Sequence, residues 1–296
     1  MPIYKSCILA FQEMSAPISV RPRLRSKNVV SSQQLFLTAH SPSERQSSNI
    51  KSIDNQSIQG IAITLGIFGA WAVSLVWLLS LDVSQLQPLW LIPVIACRAF
   101  LYTGLFIVAH DAMHRSLFPQ NYKINDLLGS VAVFIYACFS YQKLLKNHWL
   151  HHRFPASERD PDFHSGQSQN FFLWYLRFMQ KYWSWTQLLK LIVIYYGAQF
   201  LFHVPEINLV LFWVVPALLS SLQLFYFGTF LPHREPEGGH AHPHRARSTS
   251  LPPFLSFITC YHFGYHEEHH EYPQVCWWQL PAIRKARMNE DKLPAQ

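Results

Sequence analysis

Three short stretches of this chain carry most of its chemistry. They are His110-Asp111-Ala112-Met113-His114, His148-Trp149-Leu150-His151-His152 and His266-Glu267-Glu268-His269-His270. Residues three and four apart share a helical face, so each box can aim two or three imidazoles at one point. At this histidine frequency the pattern H-x-x-H-H is expected roughly 0.05 times by chance, so two copies have odds near one in a thousand. Imidazole suits zinc, copper, iron and nickel. A structural zinc site needs four ligands, whereas the boxes alone hold eight histidines, enough for two metals with open positions. Nitrogen-rich ligation of two irons suits O2 activation, in which the metal changes oxidation state; zinc cannot do this.

The third box formally contains H-E-x-x-H, the zinc-protease pattern in which the glutamate is general base. An intramembrane zinc metalloprotease is therefore a remote alternative, but it leaves the first two boxes idle. A metal transporter or sensor is another, though its ligands belong within spans rather than at their ends. Metal-bound histidines commonly donate their second N–H to a carboxylate, which fixes the ring. Asp111, Asp160, Asp162, Glu267 and Glu268 are candidates for that role.

The elements that must position these histidines read as membrane helices. Half of the 296 residues are hydrophobic, 15% are aromatic and 14% charged, a profile of an all-α integral membrane protein. Residues 58–80 and 87–109 are apolar runs long enough to cross a ~30 Å hydrocarbon core. Residues 185–204 and 209–231 form a second pair, giving four spans in two hairpins. Arg98 lies inside the second run, where a charge is a functional hint, with no role assigned. Residues 127–141 and 251–261 are apolar but short, and are read as re-entrant or interfacial helices. If 127–141 crossed the membrane, the boxes on its two sides would face opposite compartments. Both hairpin tips lack Lys and Arg, while the N-terminal, middle and C-terminal segments are basic. The positive-inside rule then puts both termini and a His-rich cap on the cytoplasmic side of a multi-pass protein.

Residues 1–57 read as a mobile polar, basic tail, with the Arg/Ser composition of an organelle transit peptide around Arg21, Arg23 and Arg25. Residues 58–275 form the catalytic membrane domain and 276–296 a C-terminal tail. The net charge of +7 is accounted for by the flanks of the spans, and no basic stripe with exposed aromatics marks a nucleic-acid partner. The five cysteines include no C-x-x-C pair, so neither a disulfide framework nor a thiolate metal site is expected. No internal repeat, G-x-G-x-x-G or haem C-x-x-C-H motif is present, so electrons are expected from an external donor. Tyr195, Tyr196, Phe200, Trp213 and Phe225 enrich the spans, and ordinary lipid-facing packing is the expectation for most of them.

The boxes, their order and the two hairpins resemble the membrane fatty-acid-desaturase-like superfamily over about residues 60 to 275. Asp160-Pro161-Asp162-Phe163-His164, Phe227-Gly228-Thr229-Phe230-Leu231-Pro232-His233-Arg234 and Tyr261-His262-Phe263-Gly264-Tyr265-His266 narrow the likeness to the bacterial-type carotenoid ketolases. The resemblance implies two irons, O2 as co-substrate, a lipid-soluble carotenoid substrate and a ferredoxin-like or similar donor. It implies oxidation of β-carotene at C4 and C4' of the β-ionone rings to echinenone and canthaxanthin. Carotenoid hydroxylases, fatty-acid desaturases and alkane or sterol oxygenases share the same iron chemistry. The metal ligands implied are His110, His114, His148, His151, His152, His266, His269 and His270, with a further ligand from the end of the last span. His233 is chosen for it; His262, four residues before His266, could serve instead. His164 is expected beside the site, His203 is expected to be structural, and His240, His242 and His244 are expected in a solvated loop.

Overall fold

The computed structural model describes residues 42–164, 169–240 and 243–290, with side chains between 54 and 289 of these. The tail to residue 41, with Arg21, Arg23 and Arg25, lies outside the described residues, as do His242 and residues 291–296. Among the described residues every regular element is helical, as expected. The helices are α1 (Pro42–Leu79) and α2 (Pro88–Met113), then α3 (Tyr122–Ala137), α4 (Tyr141–Arg153) and α5 (Phe171–Tyr182). They continue as α6 (Trp185–Leu201), α7 (Glu206–His233), α8 (Pro253–Cys260), α9 (His266–Glu271) and α10 (Leu280–Glu290). α1 thus takes in residues 42–57 of the segment read as a tail, and α10 lies in the C-terminal segment.

Among the described residues three single helices are long and apolar enough to cross a bilayer: Asp54–Leu79, α2 and α7. The fourth expected span, α6, stops at Leu201 after 17 residues. At 1.5 Å per residue that is about 25 Å, a few ångströms short of a typical hydrocarbon core. Large apolar side chains such as Val73, Trp77, Leu89, Ile92, Leu189 and Val193 are exposed on these helices, as lipid-facing surfaces require.

The short apolar segment after the first box behaves as a re-entrant pair. α3 and α4 meet at a 104° bend, made where α3 ends on Cys138 in a left-handed conformation, φ 55°. Ser140 then caps α4 by accepting the Lys143 N–H. The boxes before and after this pair meet in one place, so the pair does not carry the chain across.

Arg98 has a structural role that sequence reading did not assign. It is 1% exposed, and its Nη1 donates to Trp71 O and Ser74 Oγ of α1, both at 2.7 Å. Its Nε donates to Phe212 O of α7 at 3.2 Å. Phe212 lies four residues before Pro216, which has no N–H to give that carbonyl, and a π turn runs through Val210–Val214. Arg98 supplies the missing donor, and its guanidinium rests over the Trp71 and Tyr102 rings. Nearby, at the hairpin tip, Asn208 Nδ2 donates to Leu78 O (3.0 Å) and Leu81 O (2.8 Å), tying the start of α7 to the end of α1. Arg98→Ala is expected to cost about 1–3 kcal/mol for each carbonyl left unsatisfied. This should appear as a lower thermal midpoint of the detergent-solubilised protein; a parental midpoint would show that Arg98 does not hold α1 and α7 to α2.

Candidate metal centre

The ends of α2, α4, α7 and α9 converge. Nine histidines fall into two buried or half-buried sets, within each of which one ring nitrogen per residue lies within 4.8 Å of the others. One set is His110, His114, His148, His152 and His269; the other is His151, His233, His266 and His270. These are the nine residues singled out from the sequence. Both histidines of the first box fall in the five-membered set, whereas the second and third boxes divide: the i, i+4 partners His148/His152 and His266/His270 stay together, and His151 and His269, three residues on from the first histidine of each box, go to the other set.

Local structure explains the aim of each box. His110 sits in the last turn of α2 and His114 is its C-terminal cap. The second box occupies the end of α4. α7 passes through a π turn at Tyr226–Phe230 before Leu231–His233, and such a turn rotates the residues that follow it. This delivers His233 to the second set. Before α9, Tyr261 and His262 both adopt left-handed backbone, φ 48° and 61°, and turn the chain from α8 into a six-residue helix that begins at His266.

The donor set fits metal ions. Imidazole nitrogens face one another at His114–His148 (2.6 Å), His152–His269 (2.9 Å), and His110–His269, His151–His270 and His266–His270 (each 3.1 Å). Lone pairs converging this closely in a buried place are costly unless a cation or protons lie between them. Burial first, then the neighbouring rings, holds His266, His269 and His270 well below the ordinary imidazole value, so each is neutral and able to ligate at neutral pH. His233 Nδ1 donates to Arg245 O at 2.9 Å, leaving its buried Nε2 unpartnered and free for a metal. His110 Nδ1 meets Asp111 Oδ1 at 3.1 Å, and Asp111 Oδ2 also accepts the Trp277 N–H. His151 Nδ1 lies 3.0 Å from both Asp160 oxygens, which also accept the Ala156 and Asp162 N–H groups. Asp162 Oδ2 is 3.8 Å from His151. Trp174 Nε1 donates to Asp162 O, and Lys181 to Pro161 O, so α5 clamps the loop that orients His151.

The remaining expected residues part from the cluster. Glu267 is engaged by Arg287 of α10 at 2.9 Å and Glu268 by Arg284 at 3.0 Å; these pairs brace α9. An ion-paired Glu267 is poorly placed as the general base of a protease. His262 joins neither set, because α9 starts at His266 and the helical i, i+4 relation does not reach back into left-handed backbone. It packs against Tyr265 and Trp277 instead. His164 is buried against Phe163 and Trp174, and His203 is exposed beyond α6. His240 and His244 are half-buried rather than solvated, with the His244 ring 6.3 Å from His270.

A cavity of about 550 Å3 opens from the histidines into the helices, within the range of about 300–1,000 Å3 typical of small apolar ligands. His110, His148, His151 and His266 stand at one end, and α6 and α7 line its length. Tyr195, Tyr196, Trp213 and Phe225 line it, which corrects their expected lipid-facing role; Phe200 is 67% exposed. Phe263, 4.8 Å from the His110 ring and 5.2 Å from His266, forms part of the cavity wall beside the histidines. It lies against the backbone at Gly228, where an added Cβ would overlap its ring.

Asp160→Asn is expected to lower metal affinity at the His151 set roughly 10–100-fold, read as sub-stoichiometric metal in the purified protein, while His203→Ala keeps the parental content. Full occupancy in Asp160→Asn would show that the carboxylate does not orient His151.

Known proteins match this arrangement. The profile described as fatty acid desaturase matches residues 87–190 and 170–295. The chain is 40% identical over 237 residues to a β-carotene ketolase of Paracoccus sp. (strain PC1), covering 77% of this chain and 93% of that protein. It is 41% identical over 226 residues to a zeaxanthin 4-ketolase of Chlamydomonas reinhardtii, covering 75% of this chain and 50% of that protein. It is 38% identical over 256 residues to a β-carotene 4-ketolase 3 of Haematococcus lacustris, covering 77% and 79%. The matched region thus spans about half the length of the Chlamydomonas relative and nearly all of the Paracoccus one. With its histidine boxes gathered at the ends of membrane helices, the chain belongs to the fatty acid desaturase family and groups within it with the β-carotene ketolases.

Proposed function

We propose that this protein is an O2-dependent β-carotene 4-ketolase with two irons held by the nine histidines. The observation that carries this reading is the pairing of two histidine sets with an apolar cavity that ends on them. His110, His114, His148, His152 and His269 hold one iron, and His151, His233, His266 and His270 the other. When bound, the irons supply O2 activation and removal of an allylic hydrogen from the substrate.

The protein's own residues select and place the carbon that reacts. The cavity between α6 and α7 takes an apolar rod end-on, with one ring against Phe106, Met113 and Phe263 and the polyene trailing toward Tyr195 and Trp213. C4 of the ring is allylic, so a radical there is delocalised along the polyene. Each hydroxylation consumes one O2, two electrons and two protons and releases one water. A second hydroxylation at the same carbon gives a geminal diol, whose loss of water leaves the ketone. Apolar walls keep bulk water from the reacting carbon. Asp162 lines the cavity beside His151. Burial first pushes its carboxyl up to about 6, His151 opposing, so it can hold a proton close to neutral pH, with the Tyr182 hydroxyl donating to Oδ1.

The basic segments, the histidine cap and both termini are assigned to the cytoplasmic side, where an external ferredoxin-like or similar carrier delivers electrons. Residues 58–275 are the oxygenase domain, and Arg284 and Arg287 extend its support into segment 276–296.

Expression in a β-carotene-producing host, with pigments extracted and chromatographed, is expected to yield red-shifted ketocarotenoids, and none from His148→Ala or His269→Ala. Unchanged β-carotene, with the protein in the membrane and a competent donor present, would overturn the ketolase reading and leave hydroxylation or lipid desaturation to test. Gly228→Ala, which pushes Phe263 into the cavity at a strain of about 1–3 kcal/mol, is expected to lower ketocarotenoid yield while metal content stays parental. Parental yield would show that the wall is not tight there.

A further inference from the structure

The outer face of α4 combines three features that the metal centre does not use. Lys146, Trp149 and Arg153 lie at i, i+3 and i+7, on one side of the helix, and all three are exposed. Among the described residues no carboxylate pairs with Lys146 or Arg153. An exposed indole between two cations without carboxylate partners, Arg153 resting over the Phe154 ring, is unlike the opposite face of this helix, which carries His148 and His151 into the cavity. Trp149 is 37% exposed, yet its ring lies edge-on to His114 at 5.5 Å and 6.3 Å from His152. Both of those histidines belong to the five-membered set. This one side chain therefore reaches both solvent and the rings of a metal set.

We infer that the Lys146–Trp149–Arg153 face is the docking surface for an acidic one-electron carrier protein, with Trp149 as the contact nearest the metals. The inference rests on the oxygenase reading, because each hydroxylation needs two electrons that the chain cannot supply. The reduced carrier gives up one electron per encounter, and two encounters reduce O2, with two protons, to the inserted oxygen atom and one water. Charge complementarity selects the partner. Two unpaired cations flanking an aromatic attract an acidic surface and steer its approach, while the indole supplies an apolar centre of the kind that anchors interfaces. A lipid surface is a poorer match: α4 is strongly polar, and its inner side is occupied by the metal centre.

The test uses the full-length protein in lipid vesicles, with β-carotene, O2 and an acidic plant-type ferredoxin kept reduced by its reductase. Lys146→Glu with Arg153→Glu is expected to raise the KM for ferredoxin at least tenfold with kcat within twofold, and to flatten the dependence of that KM on salt. Lys285→Glu, an exposed charge on α10, is expected to leave KM unchanged. Turnover driven by ascorbate and a small redox mediator, which leave O2 available as co-substrate, should be equal in all three proteins, which separates lost docking from lost folding. Trp149→Leu should lower ferredoxin-driven turnover more than mediator-driven turnover. An unchanged ferredoxin KM in the double variant, or an equal rise in Lys285→Glu, would overturn the assignment. Absence of mediator-driven ketolation in the parent protein would instead sink the oxygenase reading itself.

Discussion

Nine imidazole rings crowd two points inside this protein, and where their lone pairs converge they repel one another unless a cation or a proton lies between them. Each buried nitrogen acceptor without a donor is costly, and here five pairs of rings face each other at 3.1 Å or less. The rest of the structure is organised around that concentration of unsatisfied acceptors. Cations between the rings would relieve it, and a bound metal would then be a structural partner as well. The same constraint explains why the histidines ride on helix ends. Short, capped segments can present rings at fixed angles while the apolar parts of the same helices stay in lipid.

Orientation comes from groups outside the two sets. Asp111, Asp160 and the Arg245 carbonyl each take the far nitrogen of a histidine ring. Those groups are themselves held, by the Trp277 N–H on Asp111 and by the backbone N–H groups of Ala156 and Asp162 on Asp160. Glu267 and Glu268 work outward, toward Arg287 and Arg284 of α10. The irregularities of α7 serve the same end. One π turn and Pro216 expose a carbonyl for Arg98, which fixes α7 against α1 and α2; the other π turn turns His233 inward. A helix that lines the cavity is thus also the one that completes the second set.

Much of this was legible in the sequence, for identifiable reasons. The boxes stood out because i, i+3, i+4 spacing of one residue type has a single geometric meaning on a helix. The charge pattern of the flanks and the shortness of 127–141 anticipated that the boxes meet. His233 came from family likeness rather than spacing, since nothing local predicts a π turn. His262 was misread as sharing a helical face because the left-handed turn at Tyr261 and His262 leaves little trace in residue types that are neither Gly nor Asn. Glu267 was a candidate for orienting a histidine because acids next to metal-bound imidazoles often do so, and its pairing with Arg287 turns it outward instead. The aromatic residues of α6 and α7 could not be sorted into lipid-facing and cavity-facing from composition, because both surfaces are apolar; only the packing of α5, α6 and α7 separates Phe200 from Tyr195 and Trp213. Arg98 was visible as an anomaly, but two of its three partners are backbone carbonyls, which carry no sequence signature beyond Pro216, and the third is the Ser74 hydroxyl.

The central claim is that the five-histidine and four-histidine sets are two separate iron sites. Metal analysis combined with X-ray absorption at the iron edge, on the parent protein purified from its membrane under mild detergent, tests it directly. The account predicts two irons per chain, each in a shell dominated by imidazole nitrogen and without sulfur. A single zinc per chain, or one iron with the other set empty after iron repletion, would contradict it.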